Sequence, residues 1–227
     1  MAITVLNSSG CWGGLWANYT NPTTHTLYDG VNRMVLVYLV TGAADNGTIT
    51  GIDINGVSMT KVVGLGTDRQ AHIWSMMEAD LPWGNNTLTI TYTGATSRFG
   101  TTICSYAGVK QQAPTATATR FNPLERYPYV TLTTTQDSLV AMVTHLDGIG
   151  LNEWVGDFQA ELCDTACSTN VTIGVVHHLD ANAGTNNWNI DWTSNALSSY
   201  CAGATWALGG GEELTRNPLC VQLGVNN

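Results

Sequence analysis

The sequence predicts an all-β protein, a two-sheet antiparallel β-sandwich with pseudo-repeated halves, and three observations carry that prediction. Apolar residues alternate with polar ones at a period of two, as Ile52 and Ile54 do in "TITGIDI" and Leu88, Ile90 and Tyr92 do in "TLTITYT". Clusters of Gly, Asn, Asp and Pro punctuate these runs, and no window of a dozen residues carries a capped 3.6-residue stripe. The chain also repeats itself. "GNNTLTITYTGA", starting at Gly84, returns as "GTNNWNIDWTSN", starting at Gly184, which sets Leu88 against Trp188, Ile90 against Ile190 and Tyr92 against Trp192.

The elements follow in order. "MAITVLN" opens as a strand, and strands are predicted over 34–40, 73–77, 101–106, 129–133, 139–145, 171–177 and 202–208 from their β-branched and apolar runs. Between Ile54 and Val57, Asn55-Gly56 is the dipeptide of a type I′ turn, so the flanking alternation reads as a hairpin. The echo extends to "RMVLVYLVTGAADNG" and "DSLVAMVTHLDGIG". The expected organisation is one domain over 1–208, its halves 1–108 and 129–208 joined by a crossover at 109–128 that shows no period. Neither half offers enough strands to cover both faces of a sheet, which favours one shared sandwich over two domains. From Gly209 onward the chain reads either as a frayed tail or as a C-terminal arm that packs Leu219 and Val221 on a neighbour.

Composition narrows the partners. Eight Lys and Arg against seventeen Asp and Glu give a net charge of −9, and only 11% of residues are charged. Binding a polyanion depends on cations displacing its counterions, so neither nucleic acid nor an anionic membrane is an expected partner. No apolar run has the ~20 residues of a membrane helix, and the first residues lack the basic and long apolar regions of a secretory signal. The expectation is a protein made in the cytoplasm without processing.

The chemistry-bearing residues give no assembled set. There is no G-x-S-x-G elbow, H-E-x-x-H pair, Walker loop or G-x-G-x-x-G after a strand. Glu78 and Asp80 in "EADLPW" are a carboxylate pair of the type that glycoside hydrolysis uses, but Trp83 stands where a third carboxylate belongs. His177 and His178 are adjacent on a strand and face opposite sides, so one reads as a hydrogen-bonded core residue and the other as a surface residue. Acidic loops lack the spacing of a calcium loop. No catalytic residue, metal or cofactor is predicted.

Six cysteines read mainly as reduced thiols, with Cys104 and Cys201 packing inside strands. Cys163 and Cys167, in the loop-like "ELCDTACSTN", have a spacing that suits a small disulfide or half a zinc site, and no further ligands lie nearby. Among eight tryptophans, Trp188, Trp192 and Trp206 fall on alternating strands as core residues. Trp12, Trp16, Trp83 and Trp154 fall in predicted loops, where they either fold back over the sandwich or present rings to a protein interface or a sugar.

The order "NRMVLVYLV", "ITGIDINGVSMTKVV", "AHIWSMMEADLPWGNNTLTITYTG", "CSYAGVKQQAP", then "DSLVAMVTHLDG", "WNIDWT" and "CAGATWAL", resembles jelly-roll β-sandwich modules of tailed-phage virion proteins and related bacterial surface proteins. The resemblance spans about 32–208. It implies a non-enzymatic virion protein, most concretely a capsid decoration or cement protein on the outside of a bacteriophage head. Its partners would be the major capsid protein or another virion protein and, as a homo-oligomer, further copies of itself. The alternative it implies is a carbohydrate- or receptor-binding module with a surface glycan as partner.

Overall fold

The computed structural model describes residues 2–15, 23–42, 48–66, 69–93, 98–123, 128–147, 160–168, 171–190 and 198–209. Among them the first half of the chain forms β1 (Thr4–Leu15), β2 (Thr23–Leu27), β3 (Met34–Thr41), β4 (Thr48–Ile54), β5 (Val57–Ser58), β6 (Thr60–Leu65), β7 (Gln70–Met77), β8 (Gly84–Thr93) and β9 (Arg98–Ala107). The second half forms β10 (Ala116–Asn122), β11 (Tyr129–Thr134), β12 (Ser138–Asp147), β13 (Ala160–Ser168), β14 (Val171–Ala181), β15 (Gly184–Asn189) and β16 (Ser199–Trp206). The one helical element among the described residues is a 3-10 turn at Glu78–Asp80. The protein is an all-β antiparallel sandwich, as its periodicity requires.

The repeat is carried by the topology. One five-stranded sheet runs β1-β9-β3-β7-β6 and the other runs β10-β16-β12-β14-β13, so each strand of the first has a counterpart at the same place in the second. A four-stranded sheet, β2-β8-β4-β5, covers the first, and a two-stranded sheet, β11-β15, covers the second. Within the echo, Leu88 and Trp188 occupy equivalent sites, both buried in the core beneath their own outer sheets, while Trp192 lies outside the described residues.

The halves therefore do not share one pair of sheets. Each half has a pair of its own, and the two five-stranded sheets pack back to back, giving four layers. The physical cause is visible in the central strands. On β3, Val35, Val37 and Leu39 enter the core under the four-stranded sheet, while Met34, Leu36, Tyr38 and Val40 enter the core between the halves. On β12, Val140, Met142 and Leu146 face the two-stranded sheet, while Leu139, Ala141 and Val143 face the first half. A strand apolar on both faces needs a sheet on each side, because every exposed face would cost ~25 cal/mol per Å² of apolar surface.

Outer strands keep the alternation of a half-solvated sheet, as in β4 and β11. The β4–β5 hairpin turns at Asn55 (φ 50°) and Gly56 (φ 80°), the two positive angles of a type I′ turn, with Gly56 N–H donating to Asp53 Oδ1 at 2.9 Å. The predicted crossover 109–128 is not patternless. Its middle is β10, the edge strand of the second five-stranded sheet, on which Ala116, Ala118 and Arg120 turn inward and Thr117 and Thr119 outward. Alanine and threonine supply the period there, with too little hydropathy contrast to announce it. Val109 and Leu208, at the ends of the two halves, form a β-bridge that ties the repeat together.

Candidate functional site

Arg33 immediately precedes β3 and is almost fully buried, with 2% of its side chain exposed. A buried guanidinium needs partners, and the 3-10 turn after β7 provides one at Nε, while Nη1 has no hydrogen bond among the described residues. Glu78 accepts from Arg33 Nε–H at 3.2 Å and from the Arg33 backbone N–H at 3.1 Å. Gln111 fastens the arrangement: it donates to the carbonyls of Arg33 (3.1 Å) and Val109 (3.0 Å) and accepts from the Glu78 backbone N–H at 2.8 Å. Five residues past the start of that turn, Trp83 lays its indole against the guanidinium, 4.1 Å from Arg33 Cζ to the ring centroid. Trp83 is nevertheless 68% exposed, whereas Trp74, Trp188 and Trp206 are buried. The indole is thus an outward platform with a charged, fixed backing.

The same turn also builds a groove. Asp80 lines it with Ser58, Thr60 and Lys61 of the first half, and Gln112 and Thr115, before β10, line it with Thr117 of β10. Its volume is about 710 Å³, within the range of ligand sites. Since β6 and β10 are edge strands of different five-stranded sheets, the groove belongs to the junction and to neither half alone. Lys61 Nζ lies 3.3 Å from His72 Nε2, and burial lowers the pKa of both, that of His72 to about 3. Glu78 and Asp80, the carboxylate pair of the sequence, are divided between two tasks: one holds Arg33 and the other lines the groove. A smaller hollow of about 320 Å³ lies over His178, Asn182, Asn186, Asn187 and Trp188 on the second half.

The seam between the five-stranded sheets holds buried titratable groups. Tyr38 and Tyr106 share a hydroxyl hydrogen bond at 2.9 Å, and the Tyr106 hydroxyl lies 3.2 Å from His177 Nδ1. Burial pushes the Cys104 thiol up to about 12 and lowers His177 to about 4. His145, wholly buried against Tyr200, has no hydrogen-bond partner at either ring nitrogen among the described residues; burial, helped by the Arg69 charge, lowers it to about 3. These groups are held neutral and away from solvent. His177 is the hydrogen-bonded core histidine and His178 the more exposed one, its ring 5.2 Å from that of Trp188.

Of the residues singled out by sequence, Glu78, Asp80 and Trp83 are placed at the site. Trp12 lies on β1 opposite Thr101, in a strand and not a loop. Trp16, Trp154, Leu219 and Val221 lie outside the described residues. Cys163 and Cys167 both sit in β13, which pairs with β14, so the predicted loop is a strand. Cys104 and Cys201 are fully buried packing thiols, as their strand positions imply. Arg33 and Gln111, which the sequence reading missed, carry one faint signal: a lone cation directly before an eight-residue run with no polar face.

No family model, curated protein or solved structure matches the chain. The site therefore stands on its own geometry. No helix among the described residues is long and apolar enough to cross a membrane, and no group of three His, Cys, Asp or Glu among them is placed to hold a metal ion.

Proposed function

We propose that this chain is a non-enzymatic structural protein of a tailed-phage particle, a decoration protein seated on the outside of the head. The observation that carries the reading is the strand order. In the first half, the order β1-β9-β3-β7 over β2-β8-β4-β5 supports a jelly-roll reading, an architecture used by viral capsid and lectin domains. The second half repeats the order of the larger sheet. Two sandwich units joined through a shared apolar core present edge strands of both halves, a form suited to bridging neighbouring capsid subunits. The commitment of Glu78 to Arg33 supports a role without chemistry at that pair.

In this proposal the protein binds the assembled shell and stabilises it by mass action, through contacts of standard size, roughly 800 Å² per partner. The partner is the major capsid protein or another virion protein, and Leu219 and Val221 of the C-terminal segment belong to contacts between copies. Co-sedimentation of the purified protein with capsids lacking it, followed by electron microscopy, tests the reading. Regularly spaced density on the outer face of the head is the expected result. Protein left in the supernatant, or density confined to the tail, overturns it.

A further inference from the structure

An indole that can fold back onto a sandwich normally does, because burying it removes a large apolar surface from water. Trp83 is prevented from doing so by its own support: Arg33 occupies one face and is itself fixed by Glu78 and Gln111. The face turned away from the guanidinium is a flat apolar surface on a residue 68% exposed. Asp80, three residues earlier, lines the junction groove, as does Gln112, the neighbour of Gln111. The platform and one wall of the groove are thus carried by the same two chain segments, 78–83 and 111–112.

The chemistry of the lining selects among occupants. The lining is mixed: Val62, Met76, Met77 and Pro114 give it an apolar part, yet a wholly apolar ligand would strand the hydroxyls of Ser58, Thr60 and Thr117 and the amide of Gln112 without water or partners, at a cost for each. A polyanion meets one lysine in the groove, on a chain of net charge −9. The groove offers one cation, Lys61, and one anion, Asp80, beside several neutral donors and acceptors. What suits it is an uncharged ligand that is rich in hydroxyls yet presents a C–H face to an aromatic ring.

We propose that Trp83 and the junction groove together form a binding site for a neutral oligosaccharide, one sugar stacking on the indole and its neighbours hydrogen-bonding along Asp80, Gln112, Thr117 and Lys61. The site exists because the two sandwiches are joined, and it is independent of where on a particle the protein resides.

The test titrates the full chain with hexasaccharides of four neutral types, α-1,4-glucan, β-1,4-glucan, β-1,4-linked N-acetylglucosamine and β-1,4-mannan, with oligogalacturonate as the charged comparison. Tryptophan fluorescence and backbone amide NMR shifts report binding. At least one neutral type is expected to saturate, with shifts at residues 58–62, 80–83 and 112–117. Trp83→Ala should weaken that binding by about tenfold or more, and Asp80→Ala should weaken it with the indole still in place. Since both side chains are exposed, the variants should melt as the parent does, which separates lost binding from lost fold. Saturation by none of the neutral sugars, binding by oligogalacturonate alone, or binding unchanged in both variants overturns the proposal. None of these outcomes bears on whether the protein decorates a capsid, which electron microscopy decides.

Discussion

Replacing His145 with leucine should make the protein more stable, and increasingly so as the solution is acidified. His145 is fully buried, both ring nitrogens lack partners among the described residues, and its pKa falls from 6.5 to about 3 because burial disfavours the cation and Arg69 opposes it. Above pH 6.5 neither the folded nor the unfolded state binds this proton, so the histidine has no pH-dependent effect there. Below pH 6.5 the unfolded chain takes up a proton that the folded chain refuses, and stability is lost until the pH reaches about 3. At 1.36 kcal/mol per pH unit the loss is about 2 kcal/mol at pH 5 and about 3.4 kcal/mol at pH 4. Leucine, of similar size, removes that loss and the unpaired polar nitrogens, the latter worth about 1–3 kcal/mol at any pH. Urea denaturation at pH 7 and pH 5, followed by circular dichroism, measures both parts. The variant should lead the parent by about 2 kcal/mol more at pH 5 than at pH 7. An equal lead at the two pH values, or an NMR titration placing His145 near 6.5, would refute the reasoning.

The same linkage covers His25, His72 and His177, lowered by burial to about 4, 3 and 4, so the parent's melting temperature should fall as the pH drops from 7 to 5; a melting temperature flat over that interval would contradict it. Gly203→Val should destabilise by about 1–3 kcal/mol or more, because a Cβ there meets Val130 Cγ2 at 2.7 Å and Leu132 Cδ1 at 3.1 Å, and thermal unfolding reads the loss directly. Glu78→Ala should cost about 2 kcal/mol, less than the ~3–5 kcal/mol of a fully buried pair since Glu78 keeps 30% exposure, and should alter Trp83 emission as Arg33 is released. Cys104 and Cys201 should resist a thiol reagent in the native protein and react only in denaturant; prompt reaction of all six cysteines would be inconsistent with their burial.

The strands were legible because period two and Asn-Gly turns are local properties. Ile52 and Ile54 face one core, and Asn55-Gly56 turns where two positive φ angles are required. Two things escaped local reading for different reasons. β10 alternates alanine with threonine, so its inward face differs from its outward one by little more than a methyl group. The doubling of the sandwich was present in "MVLVYLV" and "LVAMV", whose lack of polar interruption is what burial on both faces looks like, but a run of that kind does not say which sheet lies across from it. Arg33 and Trp83 are 50 positions apart, and the groove joins Thr60 to Thr117; only the packing of edge strands brings such pairs together.

By itself the sequence determined that this chain is β throughout, that it is built of two similar halves, and which residues alternate toward a core, because side-chain direction along a strand is fixed by the pleat. Tertiary structure decided what those halves do with their second faces: two sandwiches close on each other, bury His145 and His177 in the seam, and leave Trp83 outside on a guanidinium that cannot move away. Pattern is a property of neighbours in the chain. A site made across a junction depends on which distant surfaces find it cheaper to exclude water together than to face it apart.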